Sequence, residues 1–224
     1  MAAPPTLFIV CSDHPHNGKT LLARVLVDYL LADEHDPFCF DLAFPEGGLR
    51  AYFPGRTALV DFTTPEGREK VFGTLLARAG RDYVIDIPAQ HLAEFCEAAA
   101  AISLTEKAQG RGFRIVVLYI VDREEKSLRT AMAVDDILQP DILVPVANRL
   151  LGSALPDGVP GPVLRMEALD PEVRAIVANR RFSLRLFMLG EEGDLAPRHK
   201  VSLNRFLLGL MKGFRSLETA AQGV

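Results

Sequence analysis

Three adjacent residues, Gly18-Lys19-Thr20, follow the apolar run Leu7-Phe8-Ile9-Val10-Cys11 and open a long helical pattern. A phosphate-binding loop needs this order between a strand and a helix. The glycine lets backbone N–H groups approach phosphate oxygens, the lysine reaches the terminal phosphates, and the threonine hydroxyl ligates Mg²⁺. The start of the helix turns its positive end toward the anion. The candidate contacts are therefore Asn17, Gly18, Lys19, Thr20 and Leu21. The first glycine of the usual G-x-x-x-x-G-K-[ST] pattern is missing, and Asp13 stands in its place. Asp tolerates left-handed backbone angles, so the turn is expected to survive.

Two carboxylates complete the chemistry. Asp41 closes Phe38-Cys39-Phe40-Asp41, and Asp86 closes Tyr83-Val84-Ile85-Asp86. Carboxylates at C-terminal strand ends lie where a doubly wound sheet binds ligands. One can hold Mg²⁺ and another can orient an attacking water. Asp61, in Val60-Asp61-Phe62, is a third strand-end acid with no matching motif. His14 and His16 have no third partner in the sequence, which argues against a metal pair.

The elements that must carry these residues alternate. Strands are expected at Thr6–Cys11, Phe38–Leu42, Thr57–Phe62, Tyr83–Ile87, Arg114–Val121, Ile142–Ala147 and Pro162–Met166. Helices are expected at Gly18–Ala32, Pro65–Ala79, Gln90–Gln109, Glu124–Leu138 and Pro171–Asn179. Ile115 to Val121 is apolar at nearly every position, as a strand covered on both faces requires. The order implies an α/β fold, a doubly wound and mostly parallel sheet with helices on both faces. One domain, 1–224, is expected, with a helical segment over about 171–224; Gly152–Gly161 reads as an internal loop.

Composition narrows the class. Hydrophobic residues are 49% and charged residues 24% of 224, which suits a globular core rather than a disordered chain. No uninterrupted apolar run is long enough for a membrane span. Cys11, Cys39 and Cys96 are scattered, which argues against a disulfide framework or a zinc site and points to a reducing cytoplasm. The net charge is −4, but Arg174 to Arg215 holds nine basic and three acidic residues, a local +6. His199–Leu217 carries Leu203, Phe206, Leu207, Leu210, Met211, Phe214 and Leu217 at helical spacing. The expectation is that this helix packs on its own domain. The sharper alternatives are peripheral contact with a membrane surface or with nonspecific DNA through the basic residues.

Three stretches resemble the ParA/MinD-type ATPases, a deviant branch of the P-loop NTPases. NGKTLLARVLVDYL looks like their loop and first helix, FDLAFPEGG like their second-strand switch, and RDYVIDIPAQ like their Walker B strand. The likeness covers roughly residues 6–170. It implies that Lys19 and Thr20 bind the phosphates and Mg²⁺ of ATP, that Asp41 activates water, and that Asp86 is the Walker B residue at the metal. It also implies that Asn148 lies near the base and that two ATP-bound copies form a homodimer read by a protein partner. The work implied is partition or localisation of a cargo. The departures are at the loop: His14 holds the place of the signature lysine, and Pro15 and His16 replace two glycines. A protonated His14 can partly substitute for that lysine beside phosphates, while proline offers no N–H, so hydrolysis is expected to be slow or absent. Two further readings share the fold: a metabolic enzyme similar to dethiobiotin synthetase, and a pseudo-ATPase scaffold.

Overall fold

The computed structural model describes residues 4–78, 80–151, 162–179, 182–191 and 195–222. Seven strands form one sheet: β1 (Thr6–Cys11), β2 (Phe38–Asp41), β3 (Thr57–Leu59), β4 (Tyr83–Asp86), β5 (Arg114–Val121), β6 (Ile142–Asn148) and β7 (Leu164–Met166). Their order is β3-β2-β4-β1-β5-β6-β7, and every pairing is parallel. The expected sheet is therefore present, with several strands shorter than the apolar runs that mark them.

Strand alternation builds two cores. Val116, Leu118 and Ile120 of β5 face one side, with α1 (Lys19–Ala32) and the C-terminal helices; Ile115, Val117 and Tyr119 face the other. The second face is covered by α2 (Pro65–Ala77), α3 (Leu92–Ala101), α4 (Leu104–Gln109) and α5 (Glu125–Leu138). The single helix expected over Gln90–Gln109 is broken into α3 and α4. Ser103 stands between them with a left-handed φ of 51°, which an α-helix does not tolerate. α2 begins where Thr64 accepts a hydrogen bond from Gly67 N (3.0 Å), with Pro65 in the first turn. Ala79, the expected end of that helix, lies outside the described residues, as does the loop Gly152–Gly161.

The C-terminal segment adds α6 (Pro171–Ala178), the unexpected short α7 (Leu184–Met188) and α8 (Pro197–Gln222). The apolar stripe of α8 lies against the sheet as expected: Leu203, Phe206, Leu207, Leu210 and Phe214 are all buried. Phe214 packs on Tyr29 of α1 at 5.4 Å between ring centroids. A methyl group on Gly213 would come within 2.2 Å of Leu164, so glycine sets how closely α8 approaches β7. Arg205, Lys212 and Arg215 lie on the solvent side. Among the described residues, no helix is long and apolar enough to cross a membrane.

β1 is central, with β4 on one side and β5 on the other. The chain leaves β1 toward β2 and crosses later to β5. The loop after β1 thus opens at the reversal of strand order, where such sheets hold ligands.

Candidate functional site

Between β1 and α1 the backbone curls around the Lys19 ammonium. Lys19 Nζ donates to Ser12 Oγ (2.9 Å), the His14 carbonyl (2.6 Å) and Asn17 Oδ1 (3.1 Å). Ser12 is wholly buried and anchors the curl. Its hydroxyl accepts from Lys19 and from Asn17 Nδ2 (2.6 Å) and donates to the His14 carbonyl (3.0 Å). Burial lowers the Lys19 pKa, while the Asp86 charge holds it up. The ammonium is satisfied by acceptors of its own loop. An anion entering here would have to replace these acceptors rather than meet a bare cation.

Gly18 turns the chain into α1 with φ 98°, and a methyl there would stand 2.8 Å from Met166 Cε and 3.0 Å from Asn148 Nδ2. The left-handed φ calls for glycine, and a methyl would also displace the ends of the Met166 and Asn148 side chains. No side chain caps the first turn of α1. Its helical ladder opens with Leu22 N donating to Gly18 O (2.9 Å). The amides of Lys19, Thr20 and Leu21 stay outside that ladder, as an anion site needs. Asn148 pins the loop from the β6 side: Nδ2 donates to Asn17 O (2.6 Å) and Oδ1 accepts from Leu150 N (3.0 Å). His16 takes a left-handed φ of 55° that glycine would adopt without strain.

A cleft of about 530 Å³ opens on one side of the loop, lined by Lys19, Thr20, Ala43, Glu46, Asp86 and Gln90. Thr20 Oγ1 donates to Asp86 Oδ2 at 2.7 Å, across 66 residues of sequence. Burial pushes the Asp86 pKa up to about 7, the Asp41 charge adds to the rise, and the Thr20 hydrogen bond and Lys19 oppose it. Asp41 and Asp86 are register partners on adjacent strands. Asp41 is wholly buried and turned into the following loop, where Oδ1 accepts from Ala43 N (3.0 Å) and Oδ2 from Arg50 N (2.9 Å). Thr20 and Asp86 offer hard oxygen donors within reach of one ion, beside a buried carboxylate. That donor set fits Mg²⁺ rather than a soft metal.

A second cavity, of about 360 Å³, lies on the β6 side, lined by Gly18, Leu21, Arg24, Tyr52, Asn148 and Arg174 among others. Asn148 is thus brought to the loop, with Asn17, Gly18, Thr20 and Leu21. Arg24 is buried and donates to the carbonyls of Val177 (2.5 Å) and Phe182. Its guanidinium lies 3.9 Å from the centre of the Tyr52 ring, and Tyr52 OH donates to Ala178 O (3.0 Å).

His14 lines neither cavity. Its Nδ1 sits 3.2 Å from Asp13 Oδ1 and 2.9 Å from Asp122 Oδ2. Asp13 in turn accepts from the Ser127 hydroxyl (3.1 Å), and its N–H donates to Tyr119 OH (3.2 Å). The loop start is therefore tied to the β5–α5 turn, and the Asp13 carboxylate is directed there. Asp61 also builds local structure, accepting from Thr63 N (3.1 Å) and its hydroxyl (2.6 Å) ahead of α2.

Ser12, Arg24, Glu46 and Tyr52 were not singled out by the sequence. Only Arg24 leaves a signal there, as a cation within the apolar helix Leu21–Leu31.

No protein-family model matches the sequence, and no curated protein is significantly similar to it. Solved structures match. One is the septum site-determining protein MinD from Pyrococcus horikoshii OT3, complexed with Mg-ADP: TM-score 0.58, 14% identity, 98% of this chain and 100% of that one covered. Another is a nucleotide-binding protein from Archaeoglobus fulgidus in complex with ADP, with cobalt: TM-score 0.50, 11% identity, 80% and 88% covered. The chain has the fold of the ParA/MinD-type P-loop ATPases.

Proposed function

We propose that this chain is a ParA/MinD-like nucleotide switch that binds Mg-ATP and Mg-ADP with the phosphates on Asn17–Leu21 and hydrolyses ATP slowly or not at all. The observation that carries the reading is the Thr20–Asp86 contact beside the buried Lys19. A hydroxyl and a carboxylate far apart in sequence meet at the one edge of the sheet where the α1 amides are uncapped. In the bound state Lys19 would exchange its loop acceptors for phosphate oxygens, and Thr20 and Asp86 would hold Mg²⁺, which draws charge from the phosphates. The two solved structures named above carry ADP, which supports the same assignment. Slow turnover follows from the loop itself: Pro15 offers no amide, and His14 is engaged by Asp13 and Asp122.

A second copy of the chain belongs to this reading as the switch partner. Leu150, 42% exposed, lines the β6-side cavity, and Phe44, 50% exposed, stands in sequence between Ala43 and Glu46, which line the cleft; both suit an apolar contact between copies. Sedimentation with ADP and with a non-hydrolysable ATP analogue tests that part.

Binding is tested by titrating Mg-ADP into wild type and Lys19→Ala. The variant is expected to bind about tenfold more weakly or worse, since a charge-assisted phosphate contact is lost. Equal affinity would remove the phosphates from this loop.

A further inference from the structure

The carboxylates around the cleft are unequal. Asp41 is wholly buried, both its oxygens accept loop amides, and a methyl on Gly47 would lie only 3.6 Å from Asp41 Oδ2. The loop after β2 is folded over this carboxylate. Asp41 is not among the residues lining the cleft; Glu46, five residues on, is, together with Asp86, Lys19 and Thr20. A turn puts it there. Gly47 N donates to Ala43 O (2.8 Å), with Gly47 in the left-handed region at φ 68°. The next residue seats the same loop on the site: a methyl on Gly48 would stand 3.0 Å from Thr20 Oγ1. Glu46 is thus carried past the hydroxyl that contacts Asp86, and it remains exposed to solvent.

We infer that Glu46 is the outer carboxylate of the divalent-ion site, meeting the hydrated ion through its water ligands, and that Asp41 is a positioning residue that builds the loop presenting it. The inference rests on the nucleotide-binding reading above. Mg²⁺ gives up water reluctantly and keeps several molecules when bound. Those waters are strong hydrogen-bond donors and need acceptors on the side away from the protein ligands. An exposed glutamate meets that need with little desolvation, on a stem longer than that of aspartate. Without the ion, the same negative charge faces the phosphates and repels them. Glu46 therefore opposes bare nucleotide and favours the magnesium complex.

That reversal of sign is the test. ADP affinity is measured by calorimetry in EDTA and in Mg²⁺ for wild type, E46Q and D41N, with melting temperatures alongside. Wild type is expected to bind ADP more tightly with Mg²⁺. E46Q is expected to bind ADP in EDTA at least as tightly as wild type and to lose about tenfold of the Mg²⁺ enhancement, the scale of one charge-assisted hydrogen bond. D41N is expected to lower the melting temperature. An unchanged Mg²⁺ enhancement in E46Q overturns the inference. So does a D41N protein that melts like wild type yet loses the enhancement, which returns the ion to Asp41. Wild type that binds ADP equally well with and without Mg²⁺ overturns the inference but leaves the nucleotide reading standing. No ADP binding in either condition overturns both.

Discussion

Asp82 and Asp86, at opposite edges of the sheet, are held in opposite ways. At the N-terminal edge, acids staple strand starts. Asp82 Oδ1 accepts from Thr6 N (2.7 Å) and Oδ2 pairs with His35 Nδ1 (2.5 Å); Asp141 accepts from Ile115 N (2.7 Å); Asp36 pairs with Arg56 and Arg81. At the C-terminal edge, among the described residues, Asp86 has the Thr20 hydroxyl as its hydrogen-bond partner and lies beside a second buried acid, Asp41, whose oxygens are taken up by loop amides. Charges at the first edge are neutralised or bonded by the fold. At the second, burial pushes the Asp86 pKa up to about 7, and His16, with its left-handed φ, borders the same cleft. Geometry of this kind is unfavourable by itself, and the proposed ion and phosphates would offset that cost.

This contrast is breakable, and the largest effect belongs to the stapled edge. Asp82→Ala removes two bonded acceptor oxygens from a buried carboxylate and strands the Thr6 amide. The expected loss is about 3 kcal/mol in urea unfolding. A loss under about 1 kcal/mol would mean that this edge is held by apolar packing alone.

A smaller effect of opposite sign is expected at the other edge. Asp86→Asn keeps an acceptor for Thr20 and removes the buried charge, so the nucleotide-free protein should gain about 1–2 kcal/mol at pH 8 while losing its response to Mg²⁺. The same charge makes stability depend on pH. Asp86 and Asp28 are both raised by burial from 3.8 to about 7, so the folded chain binds protons more tightly than the unfolded one between those values. Stability should fall as pH rises through that window and level off above it. His35, raised chiefly by its hydrogen bond to Asp82, acts in the same direction: its contribution is complete below its ordinary 6.5 and is lost as pH rises through the folded value. Melting curves from pH 5 to 8 check the slope, and an Asp86→Asn curve as steep as wild type would assign it elsewhere.

The smallest effect is expected at His16→Gly. Relief of the left-handed strain offsets the added freedom of the unfolded chain, leaving a change within about 1 kcal/mol. A loss well beyond that would show that the His16 ring, which borders both cavities, is itself a packing element.

Much of the site could be read without the structure because its chemistry is local. Gly18-Lys19-Thr20 must lie between a strand and a helix, and continuous apolar runs mark β1, β4 and β5 with Asp86 at a strand end. The parallel sheet follows from the same runs, since a strand apolar at every position needs cover on both faces. Which way each polar side chain turns does not follow, because it depends on partners distant in sequence. Asp41 and Glu46 are both acids near the end of β2, and only the fold of residues 43–50 buries one and presents the other. His14 is a loop histidine by sequence; Asp122 and Ser127, from the far side of β1, decide that it and Asp13 face the β5–α5 turn. The apolar stripe of α8 is visible as a pattern, but a stripe does not name its cover. The neighbouring surfaces of β7 and α1, brought together by the sheet order, supply it. Sequence determined which groups stand at the ends of which elements. Tertiary structure decided what each of them touches, because hydrogen bonds and burial are set by distance in space and not along the chain.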